Sequence, residues 1–139
     1  MKHSRRNITF ARALIAIVLG WNLQCALAFI LNPAGYTGGF GLAGEAGAQM
    51  VRAMGVLFVM WNVPYAFALA NPIRFRVSLI EAVVMQAIGL AGETLILLSG
   101  AQYAAVVQET ITRFIAFDGA GLVLLSLTLW MVRKQGKTD

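Results

Sequence analysis

The sequence predicts an all-α integral membrane protein in which one bundle of four transmembrane helices takes up the whole chain, residues 1–139. Hydrophobic residues make up 59% of the chain, charged residues make up only 12%, and the mean hydropathy is +0.74. A water-soluble domain needs far more polar residues to cover its surface. Lipid must therefore be the solvent of most of the chain, and its length leaves room for a single bundle.

Four apolar stretches predict the spans, at approximately 10–31, 48–70, 77–99 and 110–132. Each is close to the roughly 20 residues that cross a hydrocarbon core of about 30 Å as a helix. Lipid offers no hydrogen bonds to the backbone, so a spanning segment must be a helix or part of a closed barrel. The stretches lack the alternation of barrel strands, which favours helices. Pro64 lies inside the second span, where we expect it to kink the helix.

The connections between the spans carry turn residues, and the first is rich in glycine from Gly35 to Gly44. This segment superficially resembles a nucleotide-binding loop, but no strand precedes it and no lysine follows at the required spacing. We therefore expect a flexible connector or one that lies at the membrane interface. The second connection contains the turn-forming pair Asn71-Pro72, and the third is mildly polar.

The lysine and arginine residues predict the orientation. They flank the first span at its start, occupy the connection between the second and third spans, and follow the fourth span. The residues are Lys2, Arg5, Arg6, Arg12, Arg74, Arg76, Arg133, Lys134 and Lys137. With four crossings these clusters fall on one side, which the positive-inside rule makes cytoplasmic. We expect a multi-pass protein of the cell inner (cytoplasmic) membrane with both termini in the cytoplasm.

The N-terminal segment has an alternative interpretation as a cleaved signal peptide. Basic residues, an apolar run and the sequence Ala26-Leu27-Ala28 fit cleavage after Ala28. Trp21, Asn22 and Gln24 fit a signal peptide poorly, however, and the apolar run continues past the cleavage point. Gln24 also replaces the small residue that a lipoprotein signal requires before Cys25. We expect the first helix to be retained.

The chain has one cysteine, Cys25, and one histidine, His3. A single cysteine excludes an intramolecular disulfide, a Cys-x-x-Cys redox pair and a cysteine metal cluster. Because His3 precedes the first span, the bundle contains no histidine to ligate haem. The net charge is +5, but no segment combines a basic face with interleaved aromatic residues, so we expect no nucleic-acid partner.

Charged residues inside a membrane span are energetically costly, and five of them fall toward the predicted external side. They are Arg52, Glu93, Glu109, Arg113 and Asp118. One interpretation is an outward-facing pocket in which Arg52 or Arg113 binds an anionic or carbonyl-bearing ligand. The other is a set of ion pairs that ties the helices together, including Glu109 with Arg113 at i and i+4. Asp118 is followed by small residues, so we expect it to face a neighbouring helix.

A second group of polar residues is uncharged. Asn22, Asn62 and Gln86 fall near mid-membrane, and Gln86 shares one face of its helix with Glu93. Interhelical hydrogen bonds are one explanation. The other is a cavity, completed by Trp61 and Tyr65, for a flat ligand such as a quinone headgroup. The candidate ligand-binding residues are therefore Arg52, Asn62, Tyr65, Gln86, Glu93, Arg113 and Asp118. We identify no catalytic or metal-ligating set, and quinone is the one cofactor considered.

Several features together resemble a known group of proteins. They are an exit from the first span through Pro33, the sequence Arg52-Ala53-Met54-Gly55 in the second span, and a short basic loop before the third. With a length near 140 residues, the chain resembles the small four-helix membrane proteins of the DoxX-like group. The resemblance implies a function that is mostly unassigned, with some members associated with quinone-linked sulfur oxidation. It implies that Arg52 is the residue most worth testing.

Three functions are compatible with these patterns. The first is an accessory or structural subunit that packs against other membrane subunits or against itself, and we do not expect it to catalyse a reaction on its own. The second is a quinone-interacting subunit of a membrane oxidoreductase. The third is a small transporter or channel that works as an oligomer. In each case the lipid bilayer is the immediate environment.

Overall fold

The computed structural model describes residues 2–99 and 102–135, and within these residues every regular element is helical. The α-helices are α1 (Lys2–Leu31), α2 (Gly44–Trp61), α3 (Val63–Ala70), α4 (Arg76–Leu98) and α5 (Ala105–Gln135). Four stretches are long and apolar enough to cross a membrane: Asn7–Leu31, Gly44–Ala70, Arg76–Leu98 and Ala105–Arg133. The predicted all-α, four-span fold is confirmed, and the chain is a multi-pass membrane protein.

Several helices extend beyond the apolar stretches, among them α2 and α5 at their starts. α2 begins at Gly44, and Glu45 lies in its first turn, where a carboxylate interacts favourably with the helix dipole. α5 begins at Ala105, so the mildly polar residues before Thr110 belong to the helix. Of the basic residues that predict the orientation, Lys137 lies outside the described residues. The same holds for the side chains of Lys2, Arg5, Arg6 and Lys134.

The second span is interrupted at Asn62, between α2 and α3. Pro64 has no backbone N–H to donate to the preceding turn, but it is accepted in the first turn of a helix. The structure thus shows a break two residues before Pro64, the residue at which the sequence predicts a kink. The Asn62 N–H still donates to the Phe58 carbonyl at 3.2 Å, so the two helices remain connected by hydrogen bonds.

The interruption separates two parts of the second span that have different neighbours. We name the ends of the bundle after their connections: the Asn32 end holds the α1–α2 and α4–α5 connections, and the Asn71 end holds the α3–α4 connection. α1 packs against α2, α3 and α5, and α4 packs against α3 and α5. No Cα atom of α2 lies within 8 Å of a Cα atom of α4. α3 thus packs closely against both α1 and α4, whereas α2 and α4 are not in close contact in the Asn32 half.

The hydrophobic core fills the Asn71 half. It consists of Ala11, Ile15, Val18, Tyr65, Ala68, Leu79, Ala82, Leu125, Leu129 and Val132, all buried. Four helices contribute to it, and Ile15, Leu79 and Leu125 have no exposed surface. Tyr65 lies at the boundary of this core, since its ring is buried with the apolar residues and its hydroxyl reaches polar partners on α4.

The glycine-rich connection is folded against the bundle. It forms two short 3₁₀ turns, Pro33–Gly35 and Thr37–Phe40, and Pro33 is buried. A Cβ atom at Gly39 would lie 2.8 Å from the Thr110 hydroxyl of α5, so only glycine permits this approach. Gly41 adopts a φ of 67°, a conformation that favours glycine. Gly39 and Gly41 therefore allow the connection to pack over the Asn32 end of the bundle.

Candidate functional site

A chain of hydrogen bonds joins three of the four spans. The Tyr65 hydroxyl donates to Gln86 Oε1 at 2.7 Å, and Gln86 Nε2 donates to Asp118 Oδ1 at 2.7 Å. Tyr65 is fully buried and Gln86 is 3% exposed. An amide carries both a donor and an acceptor, so Gln86 can bridge a hydroxyl and a carboxylate. Asp118 faces α4, as expected for an acidic residue followed by small residues.

Two glycines make room for this pair. A Cβ atom at Gly121 of α5 would lie 2.6 Å from Gln86 Nε2, and one at Gly89 of α4 would collide with the Asp118 carboxylate. Each glycine thus accepts the polar side chain of the opposite helix against its backbone. α4 and α5 are antiparallel, so Gly121 lies at the level of Gln86 and Gly89 at the level of Asp118. The reciprocal arrangement fixes the register of the two helices.

Asn62 and Glu93 each hold a buried polar atom that is without a partner. Asn62 is 3% exposed, and its Nδ2 donates to the Phe58 carbonyl at 2.6 Å, whereas its Oδ1 has no hydrogen-bond partner within the described structure. The same is true of Glu93 Oε2. Buried polar atoms in folded proteins are nearly always paired, so these two oxygens are the atoms of the region most available to a further hydrogen bond.

We call Asn62, Tyr65, Gln86, Glu93 and Asp118 the polar centre. A helix rises about 1.5 Å per residue, so Glu93 lies about 10 Å closer to the Asn32 end than Gln86 does. Asp118 is one turn closer to that end than Gly121. Glu93 and Asp118 lie near enough to interact electrostatically. The polar centre therefore extends from the top of the apolar core toward the Asn32 end.

Two further side chains approach the Tyr65 hydroxyl, namely Asn22 of α1 and Trp61 of α2. Trp61 is 39% exposed and lies beside the interruption in the second span. Asn22 and Gln86, which the sequence places near mid-membrane, thus lie beside the Tyr65 hydroxyl together with Trp61. The structure brings Asn62, Tyr65 and Gln86 into one region of the bundle, with Trp61 at its edge.

An aromatic cluster lies between the polar centre and the Asn32 end. Phe29 is at its middle, with ring centroids 5.1 Å from Tyr36, 5.6 Å from Phe40, 5.9 Å from Phe58 and 6.4 Å from Phe114. Phe58 precedes Asn62 by one turn, and Phe114 precedes Asp118 by one turn. No local pattern predicts this cluster, because aromatic residues are common in membrane spans and the five residues come from four separate segments.

Arg52 does not join the polar centre. Its Nε donates to the Ile30 carbonyl at 3.4 Å, and another guanidinium nitrogen donates to Gln49 Oε1 at 2.9 Å. Ile30 lies in the last turn of α1, where carbonyl groups lack helical partners and a cation is favourable. Arg52 thus ties α2 to the end of α1. Arg12 makes an equivalent bond of 2.9 Å to the Leu69 carbonyl near the end of α3.

Arg113 also lies apart from the polar centre. It pairs with Glu109 at 2.8 Å, with side-chain exposures of 63% and 70%. The i,i+4 pair expected from the sequence is present. Among the described side chains, those of residues 7–99 and 102–133, no ion pair joins two helices, so the expectation that ion pairs tie the helices together is wrong for these residues. The helices are instead joined by hydrogen bonds in which at least one partner is uncharged, such as Tyr65–Gln86 and Gln86–Asp118.

The arrangement can bind a ligand through hydrogen bonds and charge. Across the described residues no three histidine, cysteine or acidic side chains come together to hold a metal ion. The available groups are amide and carboxylate oxygens beside aromatic rings. No protein-family model, no curated protein and no solved structure matches the chain.

Proposed function

We propose that the chain is an accessory or structural subunit of a membrane complex, and that the lipid-facing side of α1 is the surface that packs against its partner. The observation that carries this proposal is Gln24. Its side chain is exposed on the outside of the bundle and makes no hydrogen bond to any described residue, although α1 is a membrane span at this point.

Small residues accompany Gln24 on the same face. Ala16, Gly20 and Gln24 follow one another at intervals of one turn, and all three are exposed. No atom lies within 4 Å of a Cβ atom built at Gly20. Small residues allow two membrane helices to approach closely, and an amide can then hydrogen-bond across the contact. A partner helix would shield the Gln24 amide from hydrocarbon, where an unpaired polar group is unfavourable.

The polar centre supports the same conclusion. Tyr65, Gln86 and Asp118 hydrogen-bond to one another, and Arg52 hydrogen-bonds to the end of α1. These are the bonds of a framework that keeps the helices in register. The DoxX-like resemblance, the cytoplasmic termini and the inner-membrane location are parts of this proposal. Exposed Arg74 and Arg76 at the Asn71 end support the orientation.

The test is recovery of a partner after mild solubilisation. The affinity-tagged chain should retain a stoichiometric membrane protein, another subunit or a second copy, and the variants Gln24→Leu and Ala16→Leu should reduce its recovery. Ala91→Leu is the matched control for Ala16→Leu, because Ala91 is an exposed alanine on α4. A monodisperse monomer with no partner, or equal loss in the control, would refute the proposal.

A quinone-interacting role is the second candidate. It is supported by the position of Asn22, Gln86 and Trp61 around the Tyr65 hydroxyl, next to the aromatic cluster. Such a protein should retain quinone through purification, and Asn62→Leu should weaken retention while the bundle stays folded. Extraction and chromatography of the purified protein measure this directly, and the absence of quinone would count against the role.

A further inference from the structure

The unpartnered atoms of the polar centre are both oxygens. The Tyr65 hydroxyl donates to Gln86, Gln86 Nε2 donates to Asp118, and Asn62 Nδ2 donates to the Phe58 carbonyl. The atoms left without a partner in the described structure are Asn62 Oδ1 and Glu93 Oε2. Asn62 Oδ1 can only accept, so the group that completes its bond must be a hydrogen-bond donor. A quinone carbonyl, which is an acceptor, does not supply what this atom lacks.

The region contains two carboxyl groups that can pair with a cation. Glu93 and Asp118 place two carboxyl groups near one another, and no cationic side chain pairs with either of them in the described part of the chain. The two arginines of the Asn32 half bind elsewhere, Arg52 to Ile30 and Gln49 and Arg113 to Glu109. Carboxylates inside a membrane protein are stabilised by a positive partner.

Asn62 provides an observation independent of the carboxyl groups. It is 3% exposed, and it precedes Tyr65 by three residues, which places both on the inward face of the interrupted span. Its amide N–H is used on its own helix, so the orphaned oxygen remains for an interior group. A buried amide oxygen without a partner distinguishes this region from a cluster of acidic residues on a protein surface.

The surroundings suit a compact organic cation. No Cα atom of α2 lies within 8 Å of a Cα atom of α4, so these two helices are not in close contact beside the polar centre. Phe58 and Phe114 stand one turn away from Asn62 and Asp118, with ring centroids 6.2 Å apart. Aromatic faces attract ammonium groups within about 6 Å of the ring centroid. An ammonium group of the primary type has three N–H donors, enough for Asn62, Glu93 and Asp118.

We infer that the polar centre is a binding site for a primary ammonium group, held by Asn62 Oδ1 and the carboxyl groups of Glu93 and Asp118. The group can belong to an aminophospholipid that enters from the bilayer or to a free amine that enters from solution. The site does not depend on the proposed contact surface of α1, since Gln24 faces the outside of the bundle.

The probes separate these sources. Phosphatidylethanolamine and phosphatidylcholine share a positive headgroup, but only the first has N–H donors, and free ethanolamine lacks the acyl chains. Native mass spectrometry of the purified protein should show preferential retention of phosphatidylethanolamine over phosphatidylcholine, or saturable binding of ethanolamine. The first result identifies a lipid source and the second a free amine. Equal retention of both lipids with no ethanolamine binding overturns the inference.

The variant Glu93→Gln tests the residues. It keeps the shape of the side chain and removes its charge, so affinity for the ammonium probe should fall at least about tenfold, as for a lost charge-assisted hydrogen bond. Glu81→Gln, at an exposed position on the same helix, is the matched control and should bind as the unmodified chain does. Thermal unfolding of both variants verifies that they fold. Unchanged affinity in folded Glu93→Gln, or quinone retention that this variant abolishes, would contradict the inference.

Discussion

Gln86 of α4 donates a hydrogen bond of 2.7 Å to the Asp118 carboxylate of α5, and each of the two side chains lies against a glycine of the other helix. The hydrogen bond between α4 and α5 and the close approach of their backbones therefore depend on each other. The helices must come close for the bond to form, and only glycine at positions 89 and 121 lets them do so.

Enlarging either glycine should destabilise the bundle. In Gly121→Ala the new Cβ atom would lie 2.6 Å from Gln86 Nε2, too close to be tolerated without movement. We expect a loss of about 1–3 kcal/mol in the free energy of unfolding, the usual cost of overpacking. Unfolding in detergent micelles measures it. Gly92→Ala, with no atom within 4 Å of the new Cβ, is the control and should be neutral or stabilising by up to about 1 kcal/mol.

The hydroxyl of Tyr65 and the amide of Gln86 should be energetically coupled. A double-mutant cycle of Tyr65→Phe and Gln86→Leu should give a coupling free energy between about 0.6 and 1.7 kcal/mol, the range for hydrogen bonds between membrane helices. Thr94 donates only to the Leu90 carbonyl of its own helix, so a cycle of Tyr65→Phe with Thr94→Val should be additive. Coupling of equal size in both cycles would show that the Tyr65–Gln86 bond is not the cause.

Arg52→Gln should have a small effect on stability. The guanidinium is exposed and binds the Ile30 carbonyl at the end of α1, a contact with a helix terminus that contributes less than about 1 kcal/mol at an exposed position. The unfolding free energy should fall by that amount at most, and binding of the ammonium probe should not change. A loss of probe binding in Arg52→Gln would place Arg52 in the site, contrary to its position in the structure.

Removal of Pro64 should narrow the separation between α2 and α4. Pro64→Ala restores an N–H that can donate to the preceding turn and continue the helix through Asn62. Spin labels at the exposed positions Met50 and Leu95 report the distance between the Asn32 ends of α2 and α4, which we expect to shorten. Labels at Phe67 and Val77, on α3 and α4, are the reference pair. An unchanged Met50–Leu95 distance would assign the separation to helix packing instead of Pro64.

The fold followed from the sequence because hydrocarbon leaves few solutions for an apolar chain. Length and hydropathy alone predict the four spans, and proline chemistry predicts the interruption at Asn62. The pair Glu109 and Arg113 was also predictable, since i and i+4 spacing is a property of one helix. Each of these features depends on residues that are close in the sequence.

The composition of the polar centre could be predicted only in part. Asn62, Tyr65, Gln86, Glu93 and Asp118 were candidates because polar residues in a span are costly. Arg52 and Arg113 were candidates for the same reason, but rotation of a helix about its axis decides which residues face inward. Their long side chains reach helix ends or neighbouring carboxylates near the ends of the spans. The aromatic cluster depends on contacts among distant segments, which no local pattern encodes.

The core of the Asn71 half has a kinetic consequence. Ile15, Leu79 and Leu125 are fully buried on the Asn71 side of Tyr65. The apolar core therefore blocks a molecule at the polar centre from moving further toward the Asn71 end. Such a molecule would have to leave through the Asn32 half, where it entered. Its residence time would then depend on how readily the helices of that half move apart. A single copy built in this way is suited to holding a guest, and passage from one face of the membrane to the other would have to run between copies.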